Sequence, residues 1–341
     1  MNQNERVSAF AQLGAVLSGN LESGSYDALL SKAYFENQWF TKENSKNAIL
    51  SISNNFLNKE KIEKWLSAYP LPEQNNTPKT IGLVMAGNIP LVGWHDLMCV
   101  LISGNKAQVK LSSKDKILSK LLIDELIRIA PAFEDMIELT DKPLNNFDAI
   151  IATGSNNTLR YFEYYFGKYP HILRKNRNSI AVLNGEEDEA TLKLLGEDIM
   201  AYFGLGCRNV SNIFVPRGYD FKAFFEANEP WNKVLEHNKY ANNYMYNKSI
   251  LLLNKEKHLD NGFLLLRESS VLPTPVSVLN YQYYDTINQV EDFIKTENEN
   301  LQCIVARPDQ IAGSVNFGQT QKPELWDYAD GADVMRWMLG L

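Results

Sequence analysis

Between Thr80 and Leu183 the sequence alternates short strand-like runs with longer amphipathic runs, and this alternation restricts the possible folds more than any other feature. The residue patterns predict strands at 80–85, 107–111, 136–139, 149–152 and 180–183, and helices at 91–102, 118–129 and 158–166. Such alternation is typical of a parallel sheet with helices on both faces. We therefore predict an α/β fold.

The first 78 residues follow a different pattern. Val7, Phe10, Leu13 and Leu17 recur at the spacing of one helix face. A polar stretch bounded by prolines, 71–78, then separates this region from the first strand. We predict a helical N-terminal region that carries no catalytic residue.

Length, net charge, cysteine count and hydropathy indicate which classes of protein this chain can belong to. The 341 residues are enough for two domains, and the net charge of -7 argues against nucleic acid as a partner. Three scattered cysteines form neither a disulfide framework nor a metal-binding spacing, which favours a reducing cytoplasm and no metal. No stretch approaches eighteen apolar residues, so we expect a soluble protein without a membrane span.

Polar residues follow several of the predicted strands, at the edge where such sheets bind nucleotide cofactors. The Asn88 amide can polarise a carbonyl group, and Lys110 can reach a ribose or a phosphate. Gly154 and Ser155 open a helix whose backbone amides can face a pyrophosphate. Each feature alone also fits an ordinary loop, because Gly, Asn and Ser are common in turns and a strand-end lysine is usually solvated.

Cys207 lies on a glycine-flanked turn between a predicted helix, 190–202, and a predicted strand, 213–216. Substrate can reach a thiol in such a turn, and backbone amides can stabilise its thiolate. A free cysteine is more commonly a small core residue, and that alternative stays open for Cys207. Cys99 and Cys303 lie in apolar runs and are predicted to be core residues. Further strands are predicted near 250–253, 276–279 and 303–306.

Taken in order, these residues resemble the landmarks of the aldehyde dehydrogenase superfamily: Asn88-Ile89-Pro90, Gly104-Asn105, Val109-Lys110 before Ser112-Ser113, Thr153-Gly154-Ser155 and Gly206-Cys207. Within the superfamily, the chain is most similar to the acyl-CoA reductases of the bacterial bioluminescence fatty acid reductase system. The resemblance implies a helical region at 1–78, a Rossmann-type NAD(P)-binding domain at 79–203, an α/β catalytic domain at 204–318 and a C-terminal segment at 319–341.

The resemblance also implies roles for individual residues. Cys207 would be the nucleophile, with its own backbone amide and the Asn88 side chain forming an oxyanion hole. Lys110 would contact the adenosine ribose, and Gly154 and Ser155 would lie near the pyrophosphate.

Glu268 precedes a Pro-Val pair and resembles the glutamate that holds the nicotinamide ribose. Its spacing is imperfect, and an exposed, solvated carboxylate is the alternative.

Two departures from the aldehyde-oxidising pattern indicate the reaction. The segment 172–179 has no carboxylate where those enzymes carry the glutamate that activates water. A thioacyl intermediate should therefore persist until a thiol or a hydride removes the acyl group. Ser113, followed by Lys114, replaces the glutamate of NAD-preferring members, so the 2'-phosphate of NADPH would meet no repulsion.

The sequence thus predicts an NADPH-dependent reductase that converts acyl-CoA, or another acyl thioester of fatty acyl type, to the aldehyde. An acyl-phosphate reductase is an alternative, because it also needs no hydrolytic base. A catalytically degenerate interaction subunit is another, although the presence of Cys207, Asn88 and Lys110 together counts against it. A homo-oligomer or an acyl-donor protein stays open as a partner.

Overall fold

The computed structural model describes residues 1–341, apart from the side chain of Asn156. The chain forms two compact units: Met1–Asn176 with Pro323–Leu341, and Arg177–Lys322. The first of these units meets the second between Asn176 and Arg177. The reason is that the strand Asn178–Val182 pairs within the sheet of the second unit.

The N-terminal region is helical, as predicted. Its helices are α1 (Gln3–Glu22), α2 (Asp27–Glu36), α3 (Lys42–Asn55) and α4 (Lys59–Leu66). A capping box starts α1, since the Glu5 amide donates to the Asn2 side chain over 2.9 Å and the Glu5 carboxylate accepts from the Asn2 amide. The apolar face of α1, including Phe10 and Leu13, is fully buried.

The first unit contains a parallel sheet of five strands. Its elements are β1 (Thr80–Val84), α5 (Trp94–Ile102), β2 (Lys106–Lys110), α6 (Lys116–Ile129), β3 (Ile137–Leu139), β4 (Ala149–Thr153), α7 (Asn156–Phe166) and β5 (His171–Arg174). The strand order is β3-β2-β1-β4-β5. The chain leaves β1 on one side for β2 and β3 and then crosses to the other side for β4 and β5. This reversal is the topological switch point at which open parallel sheets bind ligands.

The second unit contains a sheet of six strands. Its elements are β6 (Asn178–Val182), α8 (Glu189–Met200), β7 (Val210–Pro216), α9 (Lys222–Asn228), α10 (Asn238–Leu253), β8 (His258–Asp260), β9 (Leu265–Glu268), β10 (Val278–Tyr284), α11 (Ile287–Glu297) and β11 (Leu301–Val305). The order is β11-β6-β7-β10-β9-β8, and β8 pairs antiparallel to β9. The other pairs between named strands are parallel.

The strand predicted at 250–253 is wrong, because these residues form the last turn of α10. A short apolar run cannot be assigned to a strand or to a helix end from periodicity alone. The strands predicted near 213–215, 276–279 and 303–306 correspond to β7, β10 and β11.

The C-terminal segment returns to the first unit, where it forms α12 (Val334–Leu339). Leu325, Val334 and Met335 are fully buried there. Among the described residues, no helix combines the length and the hydropathy that crossing a bilayer requires.

Candidate active site

Three adjacent strands of the first sheet end in residues predicted to be functional. Asn88 follows β1, Lys110 ends β2 with Ser113 just beyond it, and Gly154 follows β4. Since β2 and β4 both pair in parallel with β1, their carboxyl ends lie along one edge of the sheet. The structure therefore brings these loops together at the switch point.

The loop that carries Asn88 is fixed against the loop that follows β2. A Cβ atom on Gly87 would lie 2.5 Å from the Ser112 Oγ, so only glycine permits this approach. The Leu91 amide donates to the Asp115 carboxylate over 2.7 Å, and Leu91 has a left-handed φ of 60°. The Asn88 side chain is exposed beside these anchored residues.

The first turn of α7 is arranged as an anion-binding helix start. The Ser155 Oγ caps the helix by accepting from the Thr158 amide over 3.3 Å. A Cβ on Gly154 would lie 2.9 Å from the Phe162 ring, so glycine lets the loop pass close to the helix. Helix N-termini of this kind attract phosphate through their backbone amides. The residues at this edge thus fit a dinucleotide cofactor.

A buried ion pair at the same edge was not predicted from the sequence. Arg174, at the end of β5, pairs with Asp96 in the first turn of α5, and both side chains are buried. The Arg174 carbonyl also accepts from the Gly154 amide over 3.2 Å. Arg174 therefore ties the loop after β4 to the helix that follows the Asn88 loop. The available sequence signal was Asp96, the one acidic or basic (Asp, Glu, Lys or Arg) residue in the mostly apolar helix α5.

The three cysteines differ in burial. Cys99 and Cys303 are buried, which confirms the prediction that they are core residues, and burial raises the pKa of the Cys99 thiol. Cys207 is half-buried in the second unit, between α8 and β7. Cys207 is thus the one cysteine of the three that is not buried.

The turn that leads to Cys207 has an unusual backbone. Helix α8 ends at Met200, and Tyr202, Phe203 and Gly204 then adopt left-handed φ values of 52°, 59° and 72°. Such conformations cost about 1–3 kcal/mol for each residue other than glycine and persist only where the surroundings enforce them. The Phe203 ring stacks on His237 with 4.4 Å between ring centroids. The strain lies within a few residues of the thiol.

Hydrogen bonds fix the backbone on both sides of Cys207. The Ser179 Oγ donates to the Cys207 carbonyl over 2.9 Å. The Gly206 amide donates to the Asn209 side-chain oxygen over 2.8 Å, and the Asn209 amide donates to the Gly206 carbonyl over 3.0 Å. Neither Ser179 nor Asn209 was predicted, because both act through contacts that sequence order does not reveal.

Glu268 ends β9 and is exposed. Across the sheet, Glu268 is in register with Tyr281 of β10, which is in register with Ile213 of β7. Strand β7 begins at Val210, and Cys207 lies before that start. Three residues of strand correspond to about 10 Å, and the two strand spacings add a similar lateral distance. The second sheet therefore does not place Glu268 beside Cys207.

Within the part of the chain that the structure describes, no group of three or more His, Cys, Asp or Glu residues is arranged to hold a metal ion.

Solved structures identify the fold as that of the aldehyde dehydrogenases. Aldehyde dehydrogenase 21 from Physcomitrella patens has a TM-score of 0.70 at 11% identity, covering 100% of this chain and 84% of that chain. The NADP-dependent glyceraldehyde-3-phosphate dehydrogenase from Bacillus halodurans, solved with NADP, has a TM-score of 0.60 at 12% identity, covering 90% of this chain and 74% of that chain.

A more specific match comes from the acyl-CoA reductase (LuxC) family, whose family model matches residues 32–227. This range is more than half of the chain, and the chain belongs to that family. The long-chain acyl-protein thioester reductase of Aliivibrio fischeri is 23% identical over 154 residues. The match covers 40% of this chain and 32% of the curated relative, so it spans about a third of the relative's length.

Proposed function

We propose that this protein reduces a fatty acyl thioester to the aldehyde with NADPH, through an acyl group carried on Cys207. The observation that carries the proposal is the half-buried Cys207 thiol on a turn whose backbone is fixed on both sides. Membership of the acyl-CoA reductase family and the name of the Aliivibrio fischeri relative support an acyl thioester as substrate.

In the proposed reaction the Cys207 thiolate attacks the thioester carbonyl carbon, forming a new carbon–sulfur bond and a tetrahedral oxyanion. The oxyanion collapses, the bond to the departing thiol breaks, and the acyl group remains on Cys207. The Cys207 backbone amide and the Asn88 side chain are the proposed donors to the oxyanion, which develops in both halves of the reaction. When bound, the reduced nicotinamide supplies the hydride that converts the thioacyl group to aldehyde.

The cofactor is proposed to bind the first unit at the edge that holds Lys110, Ser113, Gly154 and Ser155. Lys110 would contact the adenosine ribose, and the start of α7 would face the pyrophosphate. Ser113 would leave room for a 2'-phosphate. Glu268 does not lie beside Cys207 along the second sheet and is proposed to contact the nicotinamide ribose, not the reacting carbon.

The proposed chemistry also needs water to be a poor acyl acceptor. Strand β6, which precedes α8, opens with Asn178 and Ser179, and neither side chain can act as a carboxylate base. The Ser179 hydroxyl is engaged with the Cys207 carbonyl. This arrangement favours transfer of the acyl group to a hydride or a thiol over hydrolysis. We expect the reaction in the cytoplasm, with the acyl group arriving on CoA or on a donor protein.

A product assay tests the proposal. Wild-type protein is given a panel of fatty acyl-CoAs or the corresponding acyl phosphates, with NADPH, and aldehyde is measured. We expect aldehyde from the thioesters, and we expect Cys207→Ala to retain less than about a hundredth of that turnover, because losing a nucleophile costs several orders of magnitude. Cys303→Ala is the matched control for cysteine removal and should keep most of the activity.

Aldehyde from acyl phosphates alone would identify the alternative reaction class. Full turnover by Cys207→Ala would rule out the covalent route.

A further inference from the structure

The Asn209 side chain links the end of α8 to the residue that precedes Cys207. Its amide nitrogen donates to the carbonyls of Ala201 and Asp198 over 2.9 and 3.1 Å, with a longer contact of 3.4 Å to that of Ile199. Its oxygen accepts from the Gly206 amide. Asn209 is only 3% exposed. One side chain thus satisfies carbonyls that a helix end leaves without partners and also holds the backbone beside the thiol.

These contacts determine the direction of the Cys207 backbone amide. The Gly206 carbonyl is held by the Asn209 backbone amide over 3.0 Å. In a planar trans peptide the N–H group points opposite to the carbonyl, so the Cys207 N–H is directed away from Asn209. The Ser179 hydroxyl then fixes the next peptide through the Cys207 carbonyl.

We infer that Asn209 is a positioning residue: its side chain holds the strained turn 202–204 in place and thereby orients the Cys207 amide and thiol for reaction. The inference rests on the proposed role of Cys207. An amide is the side chain that fits, because it offers donors to the helix carbonyls and an acceptor to Gly206 at once. A carboxylate lacks the donors, and an aliphatic side chain of similar shape lacks both.

Asn209→Leu is the direct test, and Asn228→Leu is its matched control. Asn228 is 2% exposed, lies in the same unit and donates to the Leu192 and Phe224 carbonyls over 3.2 and 2.8 Å. Both substitutions remove a buried amide that bonds to backbone carbonyls, so both should lower stability. Only Asn209 contacts the backbone next to Cys207.

Two measurements distinguish a role of Asn209 in positioning Cys207 from a contribution of Asn209 to stability alone. By hydrogen exchange and mass spectrometry, the peptide spanning 202–210 should exchange at least tenfold faster in Asn209→Leu and be unchanged in Asn228→Leu, because the Gly206 amide loses its acceptor. In steady-state assays, Asn209→Leu should lower kcat at least tenfold while KM for acyl-CoA stays within threefold, and Asn228→Leu should keep wild-type kcat.

The inference is overturned if exchange at 202–210 is unaffected, or if exchange rises while kcat stays at the wild-type value. Failure of the proposed function looks different, since the wild type itself would then yield no aldehyde. In that case hydrogen exchange and the rate of Cys207 alkylation by iodoacetamide still report on the turn. An alkylation rate that Asn209→Leu leaves unchanged would then count against positioning of the thiol.

Ser179→Ala covers the case in which Asn209→Leu does not fold. It deletes the hydroxyl that donates to the Cys207 carbonyl and also accepts from the Cys303 backbone amide over 3.1 Å, so it should lower kcat by about threefold or more at an unchanged KM. Wild-type kcat in Ser179→Ala would contradict the view that the backbone around Cys207 must be held.

Discussion

The Asp115 carboxyl group is buried where the loops after β1 and β2 meet. Burial raises its pKa to about 7, although hydrogen bonds from the Leu91 amide and from Ser119 favour the carboxylate. An unfolded aspartate has a pKa near 3.9. The folded state therefore binds this proton more tightly, and the resulting stability is full below about pH 4 and is lost as the pH rises through about 7.

Asp115→Asn removes this titration and keeps the shape and an acceptor for Leu91. From pH 5 to pH 7 the wild type should lose about 2 kcal/mol of unfolding free energy relative to the variant, because the loss is about 1.4 kcal/mol for each pH unit between the unfolded and folded pKa values and becomes smaller as the pH approaches 7. Urea unfolding of both proteins at the two pH values measures the difference, and other titrating groups cancel in the comparison. A difference that does not change with pH would mean that Asp115 is ionised in the folded protein.

For single residues, burial could be predicted from the sequence where it depends on the neighbouring residues in the chain. Cys99 and Cys303 were predicted to be core residues because the residues beside them are apolar, and both are buried. The left-handed backbone at Tyr202 and Phe203 could not be predicted. It depends on hydrogen bonds to a later residue, Asn209, and aromatic residues do not favour that conformation by themselves.

At the scale of elements, the strand-helix alternation predicted the first sheet, because a buried parallel strand has a recognisable apolar run. The second unit was harder to predict. The end of α10 presents Ile250 and three leucines as one run, and only the whole of Asn238–Leu253 reveals the helix. Strands β8 and β9 have three and four residues, and such short segments do not show a periodicity that predicts a strand.

We expect the loop after β2 to determine the preference for NADPH over NADH. Ser113 and Lys114 are exposed there, so the proposed 2'-phosphate site lacks a repelling carboxylate in this loop. The wild type should have a higher kcat/KM with NADPH than with NADH, and Ser113→Glu should shift the ratio at least tenfold towards NADH. Ser23→Glu adds the same charge at the end of α1 and should leave the ratio unchanged. A wild-type preference for NADH would show that this loop does not select the cofactor.

At the scale of the whole molecule, the C-terminal segment completes the first unit. The Tyr328 hydroxyl accepts from the Trp65 indole N–H over 2.7 Å and lies 2.8 Å from the Tyr69 hydroxyl. The His95 ring contacts the Leu325 carbonyl over 3.0 Å, and burial lowers the pKa of His95 to about 4. This return could not be predicted from the sequence, because the partners of the segment are more than 200 residues earlier in the chain.

Tyr328→Phe tests how much this polar cluster stabilises the first unit. The substitution leaves the buried Trp65 N–H without its acceptor, which should lower the free energy of unfolding by about 1–3 kcal/mol. Tyr246→Phe removes a hydroxyl from a side chain that is 66% exposed and should change stability little. Equal urea midpoints for the two variants would mean that the Tyr328 hydroxyl contributes nothing to the docking of the segment.

In the proposed reaction Cys207 carries the acyl group and water does not remove it. Intact-protein mass spectrometry after incubation with acyl-CoA, without NADPH, detects such an acyl group. We expect one acyl adduct, localised to Cys207, that persists because segment 172–179 provides no carboxylate base. NADPH should then discharge it as aldehyde, and free CoA should discharge it as acyl-CoA. Rapid release of free carboxylic acid, or an adduct that forms equally in Cys207→Ala, would rule out a persistent thioacyl intermediate on Cys207.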